Sequence, residues 1–167
     1  VTASLPLPVW LKLERDAGTN LVTASYAPDD GGAPGTWTQF AAPTVTMDDD
    51  VSVGLTTTSS TTSSIATGVI DKVTLTPAPN GPAVLREDET ASSFATPGSS
   101  SFDSGTGVYT VAGGPNGSFF HGWQYQGDFM VTARHDDATS GAGSARSGIV
   151  IRESSQSGAT AWMGRIP

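Results

Sequence analysis

The sequence predicts an all-β fold from three observations. Short runs with period-two alternation recur along the chain, and no segment sustains helical periodicity. Clusters of Gly, Pro, Asp and Asn punctuate those runs at short intervals. The composition, with 20 Ser, 22 Thr, 20 Gly and 11 Pro in 167 residues, solvates turns and strand faces and offers little to helices.

The elements follow in order. Val9, Leu11 and Leu13 alternate with Trp10, Lys12 and Glu14, the mark of a strand with two unlike faces. Residues 20–27 repeat the pattern, with Leu21, Thr23 and Ser25 set against Val22, Ala24 and Tyr26. Residues 28–34 are dense in turn formers and Trp37 to Phe40 resumes β structure, so 8–40 reads as a meander. Pro43 to Met47 reads as a further strand, Asp48 to Asp50 as a turn, and Val51 to Thr56 as the next strand. Residues 57–64, nearly all Ser and Thr, fit either a polar loop or a continuing strand.

From Ile65 to Thr76 the alternation sets Val69, Asp71, Val73 and Leu75 against Ile70, Lys72 and Thr74. Residues 77–82, Pro-Ala-Pro-Asn-Gly-Pro, break any regular element. The span 77–100, with its Glu87-Asp88-Glu89 cluster, therefore reads as a linker between residues 1–76 and 101–167. Beyond it, strands are expected at 107–112, 119–125, 128–134, 147–153 and 159–166, with a small-residue loop from His135 to Arg146.

Charge is sparse, at 14% Asp, Glu, Lys and Arg, and the net charge is −8. Two Lys and six Arg do not supply the basic clusters that nucleic acid or an anionic membrane surface requires. No apolar run approaches the roughly 20 residues of a membrane span. Cysteine is absent, which excludes a disulfide framework or a thiolate metal site. The chain opens on Val and reads as an interior piece of a longer, processed or recombinant polypeptide. An acidic, Thr/Ser-rich, Lys-poor surface fits an extracellular or cell-surface bacterial module.

Several motifs carry a family resemblance. Gly127-Asp-Phe-Met-Val-Thr-Ala-Arg134 and Ser147-Gly-Ile-Val-Ile-Arg-Glu-Ser154, preceded by residues 101–114, resemble the first half of a bacterial concanavalin A-like, laminin-G-like jelly-roll module. Trp10–Arg15, Ser25–Trp37, Val51–Leu55 and Asp71–Val73 resemble its second half. The resemblance implies one antiparallel β-sandwich, a jelly roll, whose halves stand in exchanged order about residues 77–100. A strand the family places between its Ala161-Trp-Met-Gly-like and Trp10-Leu-Lys-Leu-like strands has no copy here, beyond what residues 1–6 supply. Three explanations fit the exchange: tandem repeats sampled out of phase, circular permutation, or halves shared between neighbouring copies by β-augmentation.

Catalysis finds little support among the residues. Asp29-Asp30, Asp48–Asp50 and Asp136-Asp137 fall at predicted turns, where Asp is favoured for backbone reasons. Neither an interleaved acidic strand nor a Gly-x-Ser-x-Gly elbow occurs. The weak candidates for a calcium site are Asp48, Asp50, Asp136 and Asp137. For ligand binding, Trp10 shares a strand face with Lys12, Trp123 shares one with Tyr125, and Arg152 lies opposite Glu153. If these five converge on one face they form a sugar-binding surface, with rings to stack on pyranoses.

The expectation is a non-enzymatic structural or adhesive unit of a bacterial surface or fibre protein. It would repeat along a polypeptide or assemble with neighbouring copies, and the alternative is a carbohydrate-binding module that takes polysaccharide.

Overall fold

In Val9–Asp16 (β1) the apolar alternate positions Val9, Leu11 and Leu13 are buried at 2% exposure or less, and they point at a second sheet. The same logic builds the rest of the molecule. A computed structural model describes residues 6–59, 61, 63–77, 84–88, 98–115, 117–139, 145–153 and 160–165. Residues 1–5, residues 78–83 and 89–97 of the expected linker, residues 140–144 of the expected loop, and residues 159 and 166 of the expected last strand lie outside these. After β1 come β2 (Leu21–Asp30), β3 (Ala33–Pro34), β4 (Thr38–Ala41), β5 (Asp50–Thr58), β6 (Ala66–Thr76) and β7 (Val84–Asp88). They are followed by β8 (Ser99–Asp103), β9 (Val108–Gly113), β10 (Ser118–Gln126), β11 (Phe129–Thr139), β12 (Arg146–Glu153) and β13 (Thr160–Arg165).

All described pairings are antiparallel and form two sheets. The larger runs β3-β2-β1-β11-β6-β9-β8, with β4 also against β2; the smaller runs β13-β12-β5-β10-β7. Strands from the two ends of the chain interleave in both. β1 pairs with β11 from Val9↔His135 to Arg15↔Phe129, and β6 lies between β11 and β9. In the smaller sheet β5 lies between β10 and β12. The 8–76 and 101–165 strands thus share a core within one chain. Val131 and Ala133 meet Val51, Val53, Leu55, Ile149 and Ile151 there, each large aliphatic contributing about 1.5–3 kcal/mol on burial.

The β1–β2–β4 meander forms as expected, and Gly31 and Gly32, both at positive φ, make the two-residue turn between β2 and β3. Four segments depart from the sequence reading. Residues 43–47 are not a strand. They follow the edge of β2 through a single bridge, Leu21↔Thr44, with the Val22 amide donating to the Pro43 carbonyl at 3.0 Å. The backbone of β7, inside the expected linker, pairs with β10 from Ser118↔Asp88 to Gly122↔Val84.

β11 continues past Arg134 to Thr139 rather than turning at Asp136-Asp137, because a register shift there absorbs the extra residue. A second shift, where Lys72 has φ 49°, reconciles the two alternations of β6. Ala66 and Ile70 are buried before it, and Val73 and Leu75 pack on the core after it.

Glycines let β5 and β10 carry a bulky ring on the outer side of the smaller sheet. Gly54 lies opposite Gly122. A Cβ on Gly122 would strike the Phe120 ring and the Val53 carbonyl, and one on Gly54 would strike the His121 carbonyl. Gly122→Ala is expected to lower stability by about 1–3 kcal/mol, read as a lower urea midpoint at unchanged slope. An unchanged midpoint would contradict this packing.

Candidate functional site

A polar constellation lies on the outer face of the larger sheet, where carboxylates from β2, β6 and β11 meet one guanidinium and Trp10 of β1 joins them through Asp29. Alternation in β1 turns Trp10 away from the core, yet the ring is only 7% exposed. Its indole N–H donates to Asp29 Oδ1 at 2.9 Å, and the Gly32 amide donates to Asp29 Oδ2 at 3.1 Å. Arg134, opposite Trp10 in register, reaches Asp29 from β2 at 3.2 Å, Asp71 from β6 at 2.6 Å and Asp136 from its own strand at 2.5 Å. Lys72 completes the cluster by donating to the Gly32 carbonyl at 2.6 Å.

The arrangement ties β2, β1, β11 and β6 together across the face. Its electrostatics are uneven, with three carboxylates against one arginine and one lysine. Burial raises the Asp71 pKa; Arg134 opposes it and is outweighed, since Asp136 and Asp29 add repulsion. At Asp29 burial also acts upward, but the Trp10 and Gly32 hydrogen bonds, with Arg134 and Lys72, hold the carboxyl below the usual range. The two therefore act oppositely on stability. Ionising Asp71 costs stability as pH rises from the unfolded pKa through its raised folded pKa. Asp29 stabilises above its unfolded pKa, and that share is lost as pH falls through the lowered folded one.

The five residues expected to form a binding surface occupy three places. Trp10 and Lys12 lie on this face; Lys12 Nζ pairs with Glu14 at 2.8 Å and sits 5.1 Å from the centre of the Trp37 ring. Trp123 and Tyr125 instead face the core: Trp123 packs near His121 and Tyr109, and the Tyr125 hydroxyl donates to the Pro77 carbonyl at 2.6 Å. Their orientation follows from Gly122 and the buried Phe120 on the opposite side of β10. Arg152 lies on the outer face of the smaller sheet, 9% exposed, with its guanidinium 4.7 Å from the Phe120 ring centre. Trp37, between β3 and β4, is the ring that joins Lys12 here, and its place at the end of that turn is the sequence signal for it.

Of the four aspartates weighed for calcium, three have hydrogen-bonded carboxylates and Asp48 contributes its backbone to other contacts. Buried Arg15 donates to the Asp48 and Asp49 carbonyls at 2.8 and 3.2 Å, which directs that turn at a guanidinium. Asp50 accepts from Gln126 and Asp136 from Arg134, while Asp137 accepts from the Ala138 amide. Calcium takes about six to eight oxygens, and among the described residues no group of three or more His, Cys, Asp or Glu is placed to hold a metal ion.

Removing the guanidinium leaves partly buried carboxylates facing one another, so Arg134→Met is expected to cost about 2–4 kcal/mol in urea unfolding at neutral pH. By carboxyl NMR titration, Asp71 should ionise above the ordinary carboxylate value in the wild type and higher still in Arg134→Met. An Asp71 that titrates normally in both would contradict this account of the cluster.

The chain matches no protein-family model, and no curated protein is significantly similar to it.

Proposed function

We propose that this chain is a non-enzymatic structural or adhesive unit of a bacterial surface or fibre protein, a jelly roll of the concanavalin A-like kind. Extracellular placement rests on the acidic, Ser/Thr-rich composition. The supporting observation is how the molecule uses its distinctive side chains. Strands from the two ends of the chain interleave into one core, and the outward charges and rings bind one another across strands. Glycoside hydrolysis needs two carboxyls about 5–10 Å apart across a substrate gap, whereas Asp29, Asp71 and Asp136 share one guanidinium. A unit that closes on itself suits a repeating array without exchange of strands between neighbours, and the exchanged order of its halves fits a repeat sampled out of phase.

Carbohydrate binding is the second reading, favoured by the Lys12–Trp37 pair on the outer face. Force spectroscopy on a tandem of identical units, together with retention on insoluble polysaccharides, separates the two. The structural reading expects one discrete unfolding step per unit and no retention. Retention that weakens in Trp37→Ala or Lys12→Ala would contradict it in favour of the module.

A further inference from the structure

At the β8 edge of the sandwich the two sheets are joined through a histidine. His121, on β10 of the smaller sheet, is 9% exposed, and its Nδ1 is 2.9 Å from the hydroxyl of Ser100 on β8 of the larger sheet. Its ring lies edge-on between Tyr109 of β9, at 5.1 Å, and Trp123 of its own strand, at 5.5 Å. Phe102, half exposed, covers Tyr109 from outside at 4.4 Å. The contact thus spans both sheets at a place where the larger one ends in the short strand β8.

We infer that this seam is an acid-sensitive latch: protonating the His121 imidazole loosens the β8–β9 edge from β10 and uncovers the Tyr109–Trp123 ring cluster. The neutral ring satisfies Ser100 and packs among aromatic edges. The imidazolium has to carry a charge in the same buried space, without the water that solvates it in the open state.

The described side chains that meet the ring, Ser100, Tyr109 and Trp123, carry no charge to offset that of the imidazolium. β8 presents Ser100, β9 presents Tyr109, and β5 brings Leu55 into register with His121. The β7 backbone sets Leu85 in register with His121 and Glu87 with Phe119, while Arg86 and Asp88 pair with Phe120 and Ser118 on the other alternation. Asp103, at the end of β8, gives its carboxylate to the Gly105 amide. Burial lowers the proton affinity of His121, so the closed seam binds its proton at lower pH than the opened one. The sign follows: closure is fully favoured above the ordinary histidine value and weakens as pH falls from there through the lowered one.

Hydrogen exchange of the full chain tests this, with protection corrected for intrinsic rates at about pH 7.5 and about pH 5.5. Ser99–Asp103 and Val108–Gly113 should lose protection several-fold at the lower pH while Val9–Asp30 does not. His121→Phe and His121→Gln, neither able to take the proton, should abolish that difference; if one fails to fold, the other decides. Seam protection that ignores pH in the wild type would overturn the proposal. So would an acid response that survives in the variants, which would assign it to carboxylates such as Glu87.

Discussion

The pairing of β1 with β11 is the constraint on which the rest of the molecule depends. It joins Val9–Arg15 to Phe129–His135 and so closes a contact between residues more than a hundred positions apart. Without it the β1–β2 hairpin would lose its strand pairing to β11 and the strands beyond it, and Leu11 and Leu13 their place over the core. The charged cluster lies across this junction, since Arg134 of β11 draws in Asp29 of β2 on one side and Asp71 of β6 on the other. At the far end of the same pair, the Ala17 amide donates to Asp128 at 2.8 Å.

The same economy governs the smaller sheet. β5 is its centre, flanked by β10 and β12 from the other end of the chain. Thr57 bonds Ser147 at 3.1 Å, Gln124 bonds Ser52 at 2.8 Å, and the Asp48 amide reaches Glu153 at 3.2 Å. These links cross between the two ends of the sequence, so the polar residues of a Ser/Thr-rich chain act as cross-strand ties. A surface organised this way holds its shape with few charges.

Much of the fold was legible because alternation is a direct consequence of strand geometry. Val9, Leu11 and Leu13 could be assigned inward and Trp10 and Lys12 outward from their order alone. In β10 large residues occupy both alternations, and the side with room was decided by Gly54 on a strand distant in sequence, opposite Gly122. That is why Trp123 and Tyr125 face the core. In β6 and β11 extra residues shift the register, so Asp136 becomes a ligand of Arg134 where its sequence context suggested a turn. Trp10 was legible as an outward ring, but its burial depends on Asp29, which meets it through β-pairing rather than sequence proximity.

The central claim is that the two ends of the chain complete one sandwich within a single molecule. Because the sequence has no cysteine, a designed disulfide reports on it without competing thiols. Lys12 and Thr132 are direct partners in the β1–β11 pair, with Cβ separation of about 4.5–5.5 Å expected for such neighbours. Lys12→Cys combined with Thr132→Cys should oxidise to a monomer carrying an internal bond, with each single variant remaining monomeric. Oxidation of the double variant into disulfide-linked dimers or polymers, with no internal bond, would show that the strands pair between molecules and would contradict the account.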